Sequence, residues 1–200
     1  MMYKKEREEL CEVARLMFDR KLTNAAGGNI SIRINDEHII MTPSLMAEEY
    51  FCRLEPEQIL VTNYDGELIE GRGKVTRESN IHLGIYKNLP DAGCVLHAHP
   101  KEAMVFICLA EELPSLTEAT DKYGEVKTLP YAKACSKELA DIVVDYFKSR
   151  EDELKSHGLI TLLRKHGLVI VEKDLKKAYN ALERIETNAY VNLHRHLFYK

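Results

Sequence analysis

The sequence predicts an α/β fold, a three-layer α/β/α sandwich whose central sheet is largely antiparallel. Three pairs of short apolar segments each surround a turn, and stretches with helical periodicity lie between and around them. Strands joined by tight turns pair antiparallel, and the helices must bury their apolar stripes against both faces of the resulting sheet. The 200 residues suffice for a single domain, residues 1–200, with a sizeable core.

A helix and two hairpins are predicted for the first part of the chain. Residues 4–21 place apolar side chains on one stripe and stop before TNAAGGN, which predicts the first helix. The segment NISIRINDEHIIMTP predicts a hairpin that turns at Asn35 and Asp36. The segment ILVTNYDGELIEG predicts a second hairpin, because Asp65 and Gly66 form a dipeptide that tolerates the positive φ angles of a two-residue turn.

Helices alternate with short strands in the next part. The periodicity predicts helices over residues 77–89 and 102–111, with a strand between them that ends near His99. Residues 113–131 show no clear pattern.

The last part of the chain has two clear helix starts. Ser136 is the predicted N-cap of a helix that runs to Ser149, and Asp174 is the predicted N-cap of a long terminal helix. Between them, LITLLRKHGLVIV predicts two apolar strands around a turn.

Composition and charge exclude two classes of partner. The net charge of −4, the pI near 6.1 and the scattered Lys and Arg residues give no basic surface for nucleic acid. No apolar run approaches the roughly 20 residues of a membrane span, and the N-terminal residues lack the apolar core of a signal peptide. A cytoplasmic location is therefore expected. Five cysteines without a CxxC motif predict reduced, mostly buried thiols.

The segment CVLHAHPKEA contains the first candidate site, the pair His97 and His99. Apolar residues precede the pair and Pro100 ends the pattern, which predicts a short strand that stops near His99. Side chains alternate along a strand, so the two imidazoles share one face, about 6.6 Å apart along the backbone. Such a pair can bind a metal ion if a third ligand joins it, and by itself it is equally typical of a hydrogen-bonded surface pair.

Two histidines compete as the third ligand. His166 lies in the turn of the late hairpin beside a glycine, and His157 has the same His-Gly-Leu context, so spacing favours His166 only modestly. Glu78 offers a carboxylate, and it is predicted to lie in the first turn of a helix, near the positive end of the helix dipole. Glu78 and His82 are four residues apart, a spacing that can chelate a metal but more commonly forms a solvated pair.

Together these motifs resemble the class II aldolase and adducin family, whose sugar-phosphate members include L-fuculose-phosphate aldolase and L-ribulose-phosphate 4-epimerase. The resemblance runs almost from end to end, from GGNISIR through MTPS, GKVTRESNIHLGIY and LHAHP to KHGLVIV and the final helix. The ordered set of motifs is more specific than any one of them. It implies the three-layer fold of that family and a homotetrameric ring with active sites between subunits.

The resemblance also implies roles for individual residues. The positions that match the zinc ligands of the family are His97, His99 and His166. Glu78 matches the carboxylate that binds the metal in the resting state and moves protons once substrate displaces it, while His157 and His82 become structural. The positions that match the phosphate pocket of the family's aldolases are Gly28, Asn29, Ser44 and Thr76. Backbone N–H groups of a glycine-rich loop suit such a pocket because they bind anions.

The implied chemistry explains these residue types. Cleavage of a carbon–carbon bond beside a ketone leaves an enediolate, whose charge a divalent cation stabilises as a Lewis acid. Three neutral imidazoles leave the charge of the cation undiminished and keep a coordination position open for substrate. Glu78 can then add or remove the proton at the enediolate carbon. The expected cofactor is one Zn²⁺, or another divalent cation, per chain, and the expected substrate is a phosphorylated sugar or sugar acid.

Three positions depart from the pattern of the family's aldolases. Leu45 stands where these commonly have a glycine beside the phosphate, and Arg77 replaces a small hydroxyl residue before Glu78. The Arg77 guanidinium could bind a phosphate or carboxylate of the substrate, although an exposed arginine at a helix start is as common. Glu118 lies near the position at which the family's fuculose-type aldolases have a catalytic tyrosine, and Tyr123 is close by. Glu118 also resembles the catalytic glutamate of the family's methylthioribulose-phosphate dehydratases.

The leading hypothesis is therefore a zinc-dependent aldolase, a lyase that cleaves a phosphorylated ketose or related sugar acid to an enediolate product and an aldehyde. Its predicted catalytic residues are Glu78 and Glu118. A 4-epimerase, a dehydratase and a keto-acid phosphate decarboxylase are alternatives on the same metal site. An adducin-like binding module is the alternative without chemistry, although a scaffold has no need of metal-directed side chains.

Overall fold

The structure of the protein is a computed structural model that describes residues 1–109 and 111–197. Eight strands form one central sheet. In chain order, the strands are β1 (Asn29–Arg33), β2 (Ile39–Met41), β3 (Leu60–Thr62), β4 (Leu68–Glu70), β5 (Cys94–Ala98), β6 (Thr128–Leu129), β7 (Leu159–Leu163) and β8 (Gly167–Glu172). Across the sheet their order is β4-β3-β2-β1-β5-β8-β7-β6.

Antiparallel pairing dominates this sheet. Every neighbouring pair of strands is antiparallel except β6 and β7. The three predicted hairpins are present as β1–β2, β3–β4 and β7–β8, so the predicted largely antiparallel sheet is confirmed. The strand with the two histidines, β5, lies between β1 and β8, where two of these hairpins meet.

Helices cover both faces of the sheet. The α-helices of the described residues are α1 (Lys4–Asp19), α2 (Met46–Tyr50), α3 (Ser79–Asn88), α4 (Ala103–Leu109), α5 (Lys137–Lys148) and α6 (Leu175–His194), and short 3-10 helices lie at Pro56–Gln58, Glu118–Tyr123, Glu151–Lys155 and Arg195–Leu197. No helix in the described ranges is long and apolar enough to cross a membrane. Both predicted N-caps are confirmed, because Ser136 accepts a hydrogen bond from the N–H of Leu139 and Asp174 accepts one from that of Lys177.

Alternation along the strands divides the apolar side chains between two cores. On one face, α1, α4 and α6 cover strand residues such as Ile30, Leu96 and Ile170. On the other face, α3 and α5 cover residues such as Val95 and Val169. Because neighbours along one strand point to opposite faces, both faces need a helical layer, and the three-layer arrangement follows.

Three helices differ from the prediction in their boundaries, and one of them is α3, which was expected over residues 77–89 and spans Ser79–Asn88. The first helix was expected over residues 4–21, but α1 ends at Asp19 because Lys21 adopts a left-handed φ of 60°. The helix expected over residues 102–111 begins at Ala103 and is described to Leu109, since Ala110 lies outside the described residues.

The segment between α4 and β6, which has no sequence pattern, is held by long-range hydrogen bonds. Leu113 and Val126 form an isolated antiparallel bridge. Asn188 of α6 donates to the carbonyl oxygen of Pro114 at 2.8 Å and accepts from the N–H of Leu116 at 2.9 Å. Contacts of this kind leave no periodicity in the sequence, which is why the segment could not be predicted.

The five cysteines are unpaired, as predicted. Cys52 and Cys94 are buried, and burial raises the pKa of the Cys52 thiol to about 12. Cys11 and Cys135 are half-buried and Cys108 is exposed, so the expectation of mostly buried thiols holds for two of the five.

Candidate active site

Two histidines of the site lie at the end of β5. His97 pairs with Asn29 of β1, and His99 follows directly after the last residue of the strand. Their Nε2 atoms lie 3.0 Å apart, and both side chains are buried. The Nδ1 of His97 lies 2.9 Å from the carbonyl oxygen of Leu168. In the neutral ring Nδ1 therefore carries the proton, and the lone pair of Nε2 points into the site.

His166 brings the third imidazole from the turn between β7 and β8. Its ring centroid lies 4.7 Å from that of His97 and 5.6 Å from that of His99. The nitrogens that the three rings offer as ligands all lie within 4.8 Å of one another. His157, the competing candidate, lies at the far end of β7, where its ring packs edge-on against Tyr123 at 5.9 Å. The structure thus brings His166, and not His157, to the pair on β5.

Two glycines make room for these imidazoles. A Cβ atom on Gly167 would lie 2.5 Å from Cδ2 of His99 and 2.7 Å from Cε1 of His97. A Cβ atom on Gly27 would lie 2.6 Å from Cε1 of His99. Real Cβ atoms do not approach other atoms this closely, so any side chain at either position would displace the rings.

Glu78 faces the imidazoles from the start of α3. The helix begins at Ser79 and Glu78 is the N-cap residue, whose side chain makes no capping hydrogen bond. Its carboxylate oxygens lie 3.2 Å from Nε2 of His97 and 3.0 Å from Nε2 of His166, and the Nδ2 of Asn29 donates to Oε2 at 3.1 Å. The predicted position in the first turn of the helix is therefore wrong by one residue, because the backbone becomes helical only at Ser79.

Burial and neighbouring groups set the charges in this cluster. Burial lowers the pKa of His97, and burial together with the two neighbouring imidazoles lowers the pKa of His99 to about 3. Both rings are therefore neutral at physiological pH. Burial would raise the pKa of Glu78, but the neighbouring His166 and the hydrogen bond from the Asn29 amide outweigh it and hold this pKa well below its usual range. The cluster combines nitrogen lone pairs with an ionised carboxylate.

This donor set fits a divalent cation. Nitrogen lone pairs and carboxylate oxygens repel one another unless a proton or a metal cation lies between them, and a divalent cation can bind all four of these converging groups at once. Neighbouring ligand atoms of a tetrahedral zinc site lie about 3.3 Å apart, close to the 3.0 Å between Nε2 of His97 and Nε2 of His99. Within the described residues, the buried Oε1 of Glu78 has no aligned hydrogen-bond donor. The three histidines could hold the ion, with Glu78 as a further ligand.

The cluster lines a cavity of about 380 Å³ that also contains the predicted substrate-binding residues. These are Gly28, Asn29, Ser44, Thr76 and Arg77. One cavity therefore unites residues from β1, the segment before α2, the start of α3, the end of β5 and the β7–β8 turn. The role of the five residues in binding substrate stays a prediction.

Leu45 lines this cavity in a backbone conformation that suits glycine. Its φ of 62° and ψ of 23° lie in the left-handed region, which costs a residue with a Cβ atom roughly 1–2 kcal/mol. Glycine adopts such angles freely. The chain thus has the backbone expected for a glycine at this position, and the leucine adds an apolar side chain, 37% exposed, to the cavity.

Two cationic side chains line the cavity, and the sequence predicted one of them. Arg77 is exposed and directly precedes Glu78. Lys165 also lines the cavity and adopts a left-handed φ of 61° in the β7–β8 turn. The signal for Lys165 was its position directly before His166, since a residue beside a ligand in a tight turn lies near the same site.

The second predicted acid–base group lies outside this cavity. Glu118 is exposed at the start of its 3-10 helix, and Tyr123 is buried at the end of the same helix, against His157. Neither residue lines the cavity of its own chain. Because Glu118 is exposed, it is accessible to a second copy of the chain. Tyr123 is buried and is therefore not accessible in this way.

Known proteins match this chain over nearly its whole length. Residues 8–193 match the family described as Class II Aldolase and Adducin N-terminal domain. The 5-deoxy-D-ribulose 1-phosphate aldolase of Bacillus thuringiensis serovar kurstaki is 32% identical over 192 residues, which cover 96% of this chain and 85% of that protein. The 3-oxo-tetronate 4-phosphate decarboxylase of Haemophilus influenzae is 26% identical over 193 residues, which cover 92% of this chain and 85% of that protein.

Solved structures agree with the sequence match. The structure of an L-fuculose 1-phosphate aldolase superposes with a TM-score of 0.82 at 26% identity, covering 97% of this chain and 87% of that one. The predicted class II aldolase-like fold is therefore confirmed, and the homologues and structural neighbours of the chain include sugar-phosphate aldolases, which are lyases. By both its sequence and its fold, the chain belongs to the class II aldolase and adducin family.

Proposed function

We propose that this protein is a divalent-metal-dependent aldolase, with zinc as the expected metal, that cleaves a phosphorylated ketose or a related sugar acid. The observation that carries the proposal is the convergence of three imidazoles and one carboxylate in a single cavity. A binding module of the adducin type has no use for such a buried cluster. The relative named 5-deoxy-D-ribulose 1-phosphate aldolase supports a ketose phosphate as substrate.

The metal would be held by the three histidines. When bound, it supplies a positive charge beside the substrate ketone, where the charge of an enediolate develops. His97 and His99 stay neutral because burial lowers their pKa values, so they do not diminish that charge. His166 would bind through Nε2, the nitrogen that lies 3.0 Å from Glu78.

Cleavage requires two proton transfers around one carbon–carbon bond. Loss of the proton from the C4 hydroxyl of the ketose lets the C3–C4 bond break, so that C4 leaves as an aldehyde. The electron pair of the broken bond stays on the C1–C3 fragment as an enediolate, and protonation at C3 completes this product. Glu78 is the group assigned to the proton at C3, because its carboxylate lies among the imidazoles and is buried from bulk water.

The anionic end of the substrate would bind to the remaining polar groups of the cavity. Hydroxyl groups of Ser44 and Thr76 and backbone N–H groups near Gly28 suit a phosphate, and Arg77 and Lys165 add positive charge. A phosphorylated substrate does not cross membranes unaided, which supports a cytoplasmic site of action.

Glu118 is assigned to the aldehyde side of the reaction in a neighbouring subunit's site. It is exposed and lies outside the cavity of its own chain, which fits the homotetramer with sites between subunits that the family resemblance implies. In that position it would accept the proton of the C4 hydroxyl. Tyr123 is not assigned to this step, because it is only 6% exposed.

A decarboxylase of a phosphorylated 3-oxo acid is the second candidate. Loss of CO₂ from such an acid leaves the same kind of enolate that an aldol cleavage leaves. The same cation could therefore stabilise this enolate, and the same carboxylate could protonate it. Arg77 favours this candidate, because an exposed guanidinium beside Glu78 can bind a carboxylate in a bidentate geometry. A relative named 3-oxo-tetronate 4-phosphate decarboxylase is 26% identical to the chain over 193 aligned residues. A 4-epimerase or a dehydratase would reuse the same enediolate.

A substrate screen separates these activities. Zinc-loaded protein is incubated with phosphorylated ketoses and phosphorylated 3-oxo acids, and the products are identified by mass spectrometry. An aldolase releases an aldehyde and a three-carbon phosphate, and a decarboxylase releases CO₂. Chelator-treated protein is the control and should be inactive. Turnover that is equal with and without metal, or no turnover of any substrate by the metal-loaded protein, would contradict the proposal.

A further inference from the structure

A chain of buried hydrogen bonds runs from the core to Glu78. The Nδ2 of Asn29 donates to Oε2 of Glu78 at 3.1 Å, and the Oδ1 of Asn29 contacts Nε2 of His82. The Nδ1 of His82 lies 2.6 Å from Oγ of Ser31, which in turn lies 2.9 Å from the hydroxyl of Tyr86. Four side chains thus connect the middle of the sheet to the carboxylate of the site.

Two regular spacings bring these side chains together. Asn29 and Ser31 are two residues apart on β1 and share one face of the sheet. His82 and Tyr86 are four residues apart on α3 and share one face of that helix. Because α3 covers this face of β1, the two pairs interdigitate, and each contact joins one residue of the strand to one residue of the helix.

The charge of Glu78 sets the direction of every bond in the chain. An ionised carboxylate only accepts, so Asn29 must turn its NH₂ group to Glu78 and its oxygen to His82. The Nε2 of a neutral His82 then carries the proton, and its Nδ1 accepts from the Ser31 hydroxyl. Ser31 has no second hydrogen, so the Tyr86 hydroxyl must donate to it.

Burial leaves only one set of donors and acceptors for these hydrogen bonds. The exposed fractions are 0% for Ser31 and His82, 2% for Tyr86 and 6% for Asn29, so water does not supply alternative partners. The chain begins at the backbone N–H of Val95 in β5, which donates to the Tyr86 oxygen at 3.2 Å. Burial also lowers the pKa of His82 to about 4, which keeps the ring neutral.

We propose that His82 is a positioning residue for the reaction at Glu78. A side-chain amide has two orientations of nearly equal shape, and the orientation with its oxygen towards Glu78 would repel the carboxylate. The Nε2–H of His82 pairs only with the amide oxygen, so it holds Asn29 in the orientation that donates to Glu78. The carboxylate is thereby aimed at His97 and His166. This role rests on the proposed function, in which Glu78 moves a proton.

Substitutions of His82 test the role through kinetics. His82→Leu removes both ring nitrogens and is expected to lower kcat about 10- to 100-fold, the usual effect of losing a partner that orients a metal-site ligand. KM should change less than kcat, since Ser44, Thr76 and Arg77, which would bind the anionic end of the substrate, are untouched. His82→Gln keeps an N–H group for Asn29 and should recover part of kcat. An unchanged kcat in His82→Leu with its metal retained would overturn the proposal.

Two further variants guard against a loss of folding. Tyr86→Phe removes only the hydroxyl at the start of the chain, keeps the ring that packs in the core, and should lower kcat less than His82→Gln does. Thr62→Val is the matched control, because Thr62 is fully buried and its hydroxyl has no hydrogen-bond partner among the described residues. It should leave kcat unchanged. Equal losses in Tyr86→Phe and Thr62→Val would indicate general destabilisation and contradict the positioning role.

A measurement without substrate separates this inference from the proposed function. Nitrogen-15 NMR of the imidazoles in the metal-loaded protein should show His82 as the neutral Nε2–H tautomer near neutral pH. The Nδ1–H tautomer, or rapid exchange between the two tautomers, would overturn the inference whatever the enzyme does. Failure of the wild-type protein to turn over any phosphorylated ketose or 3-oxo acid would instead overturn the proposed function and leave the tautomer result standing.

Discussion

The Nε2 of His166 lies 3.0 Å from Oε1 of Glu78, which joins the β7–β8 turn to the start of α3. The same carboxylate reaches His97 of β5 with its other oxygen at 3.2 Å. These contacts place one acidic group where it can either bind a cation or move a proton when substrate displaces it. The two roles predict different outcomes when the carboxylate is replaced.

Replacement of Glu78 by Gln should abolish proton transfer while leaving the metal bound. Gln keeps the size of Glu and most of its hydrogen bonding but removes the titratable group, so kcat should fall about 10² to 10⁴-fold. The three histidines should retain the cation. Steady-state kinetics give kcat, and elemental analysis after dialysis gives the metal content.

The matched variant Glu118→Gln tests which of the two carboxylates carries out which proton transfer. Loss of metal from Glu78→Gln would assign Glu78 a ligand role in place of the acid–base role. Full loss of activity in Glu118→Gln, with near wild-type activity in Glu78→Gln, would reverse the assignment. A dehydratase mechanism, in which a glutamate at this position acts, would then be the better interpretation.

Removal of His166 should weaken metal binding. His166→Ala leaves His97, His99 and Glu78, one ligand short of the predicted set, so the metal content after dialysis should fall well below the wild-type content of about one divalent ion per chain. His157→Ala is the control, because His157 has the same His-Gly-Leu context but lies at the far end of β7. Equal metal contents in the two variants would contradict the predicted ligand set.

Gly167 should be required for metal binding although it offers no ligand. The Cβ atom in Gly167→Ala would meet ring atoms of His97 and His99 and the carbonyl oxygen of Ala98 at less than 3 Å, so the imidazoles or the end of β5 that carries them must shift. Zinc affinity, measured by competition with a chromogenic chelator, should fall. Gly124→Ala controls for backbone strain alone, since its φ of 64° strains any residue with a Cβ atom, while no atom lies within 4 Å of a Cβ atom built there. An affinity unchanged in Gly167→Ala would show that the rings have more room than the structure indicates.

Arg77 should bind the anionic end of the substrate. A hydrogen bond to a charged group contributes about 1.5–3 kcal/mol, so Arg77→Ser should raise KM for a phosphorylated or carboxylated substrate by about tenfold or more. Arg72→Ser is the control, because Arg72 is also exposed but does not line the cavity. The same KM in both variants would leave Arg77 as a solvated surface residue.

Leu45→Gly should relieve backbone strain and open the cavity. Release of the left-handed leucine gains roughly 1–2 kcal/mol, and the extra freedom of glycine in the unfolded chain offsets about 0.5–1 kcal/mol of this. The midpoint of urea unfolding should therefore stay equal to that of the wild type or rise slightly. Leu45→Ala removes the bulk but keeps the strained angles, so it should not gain stability. A clear loss of stability in Leu45→Gly alone would refute this account.

Features that depend only on neighbours along the chain could be predicted from the amino-acid sequence. Ser136 and Asp174 cap helices because each side chain bonds to a backbone N–H three residues on. His97 and His99 face one site because side chains alternate along a strand. Each of these effects acts within a few residues, so the pattern suffices to predict it. Resemblance to a family added the ordered set of site residues, and the structure brings them to one cavity.

Contacts between groups that are distant in sequence depend on the tertiary structure. His157 and His166 have the same local context, and only the pairing of β8 with β5 carries His166 to the site. The orientation of Glu78 depends on a chain of hydrogen bonds that begins in another strand. From the sequence, His82 is interpreted as a structural residue, and this chain of hydrogen bonds is not predicted. The burial of Tyr123 likewise depends on packing between remote segments. Strand order and burial depend on the packing of both apolar cores. The free energy of that packing is a sum over many contacts across the whole sheet, so no short segment of sequence reveals it.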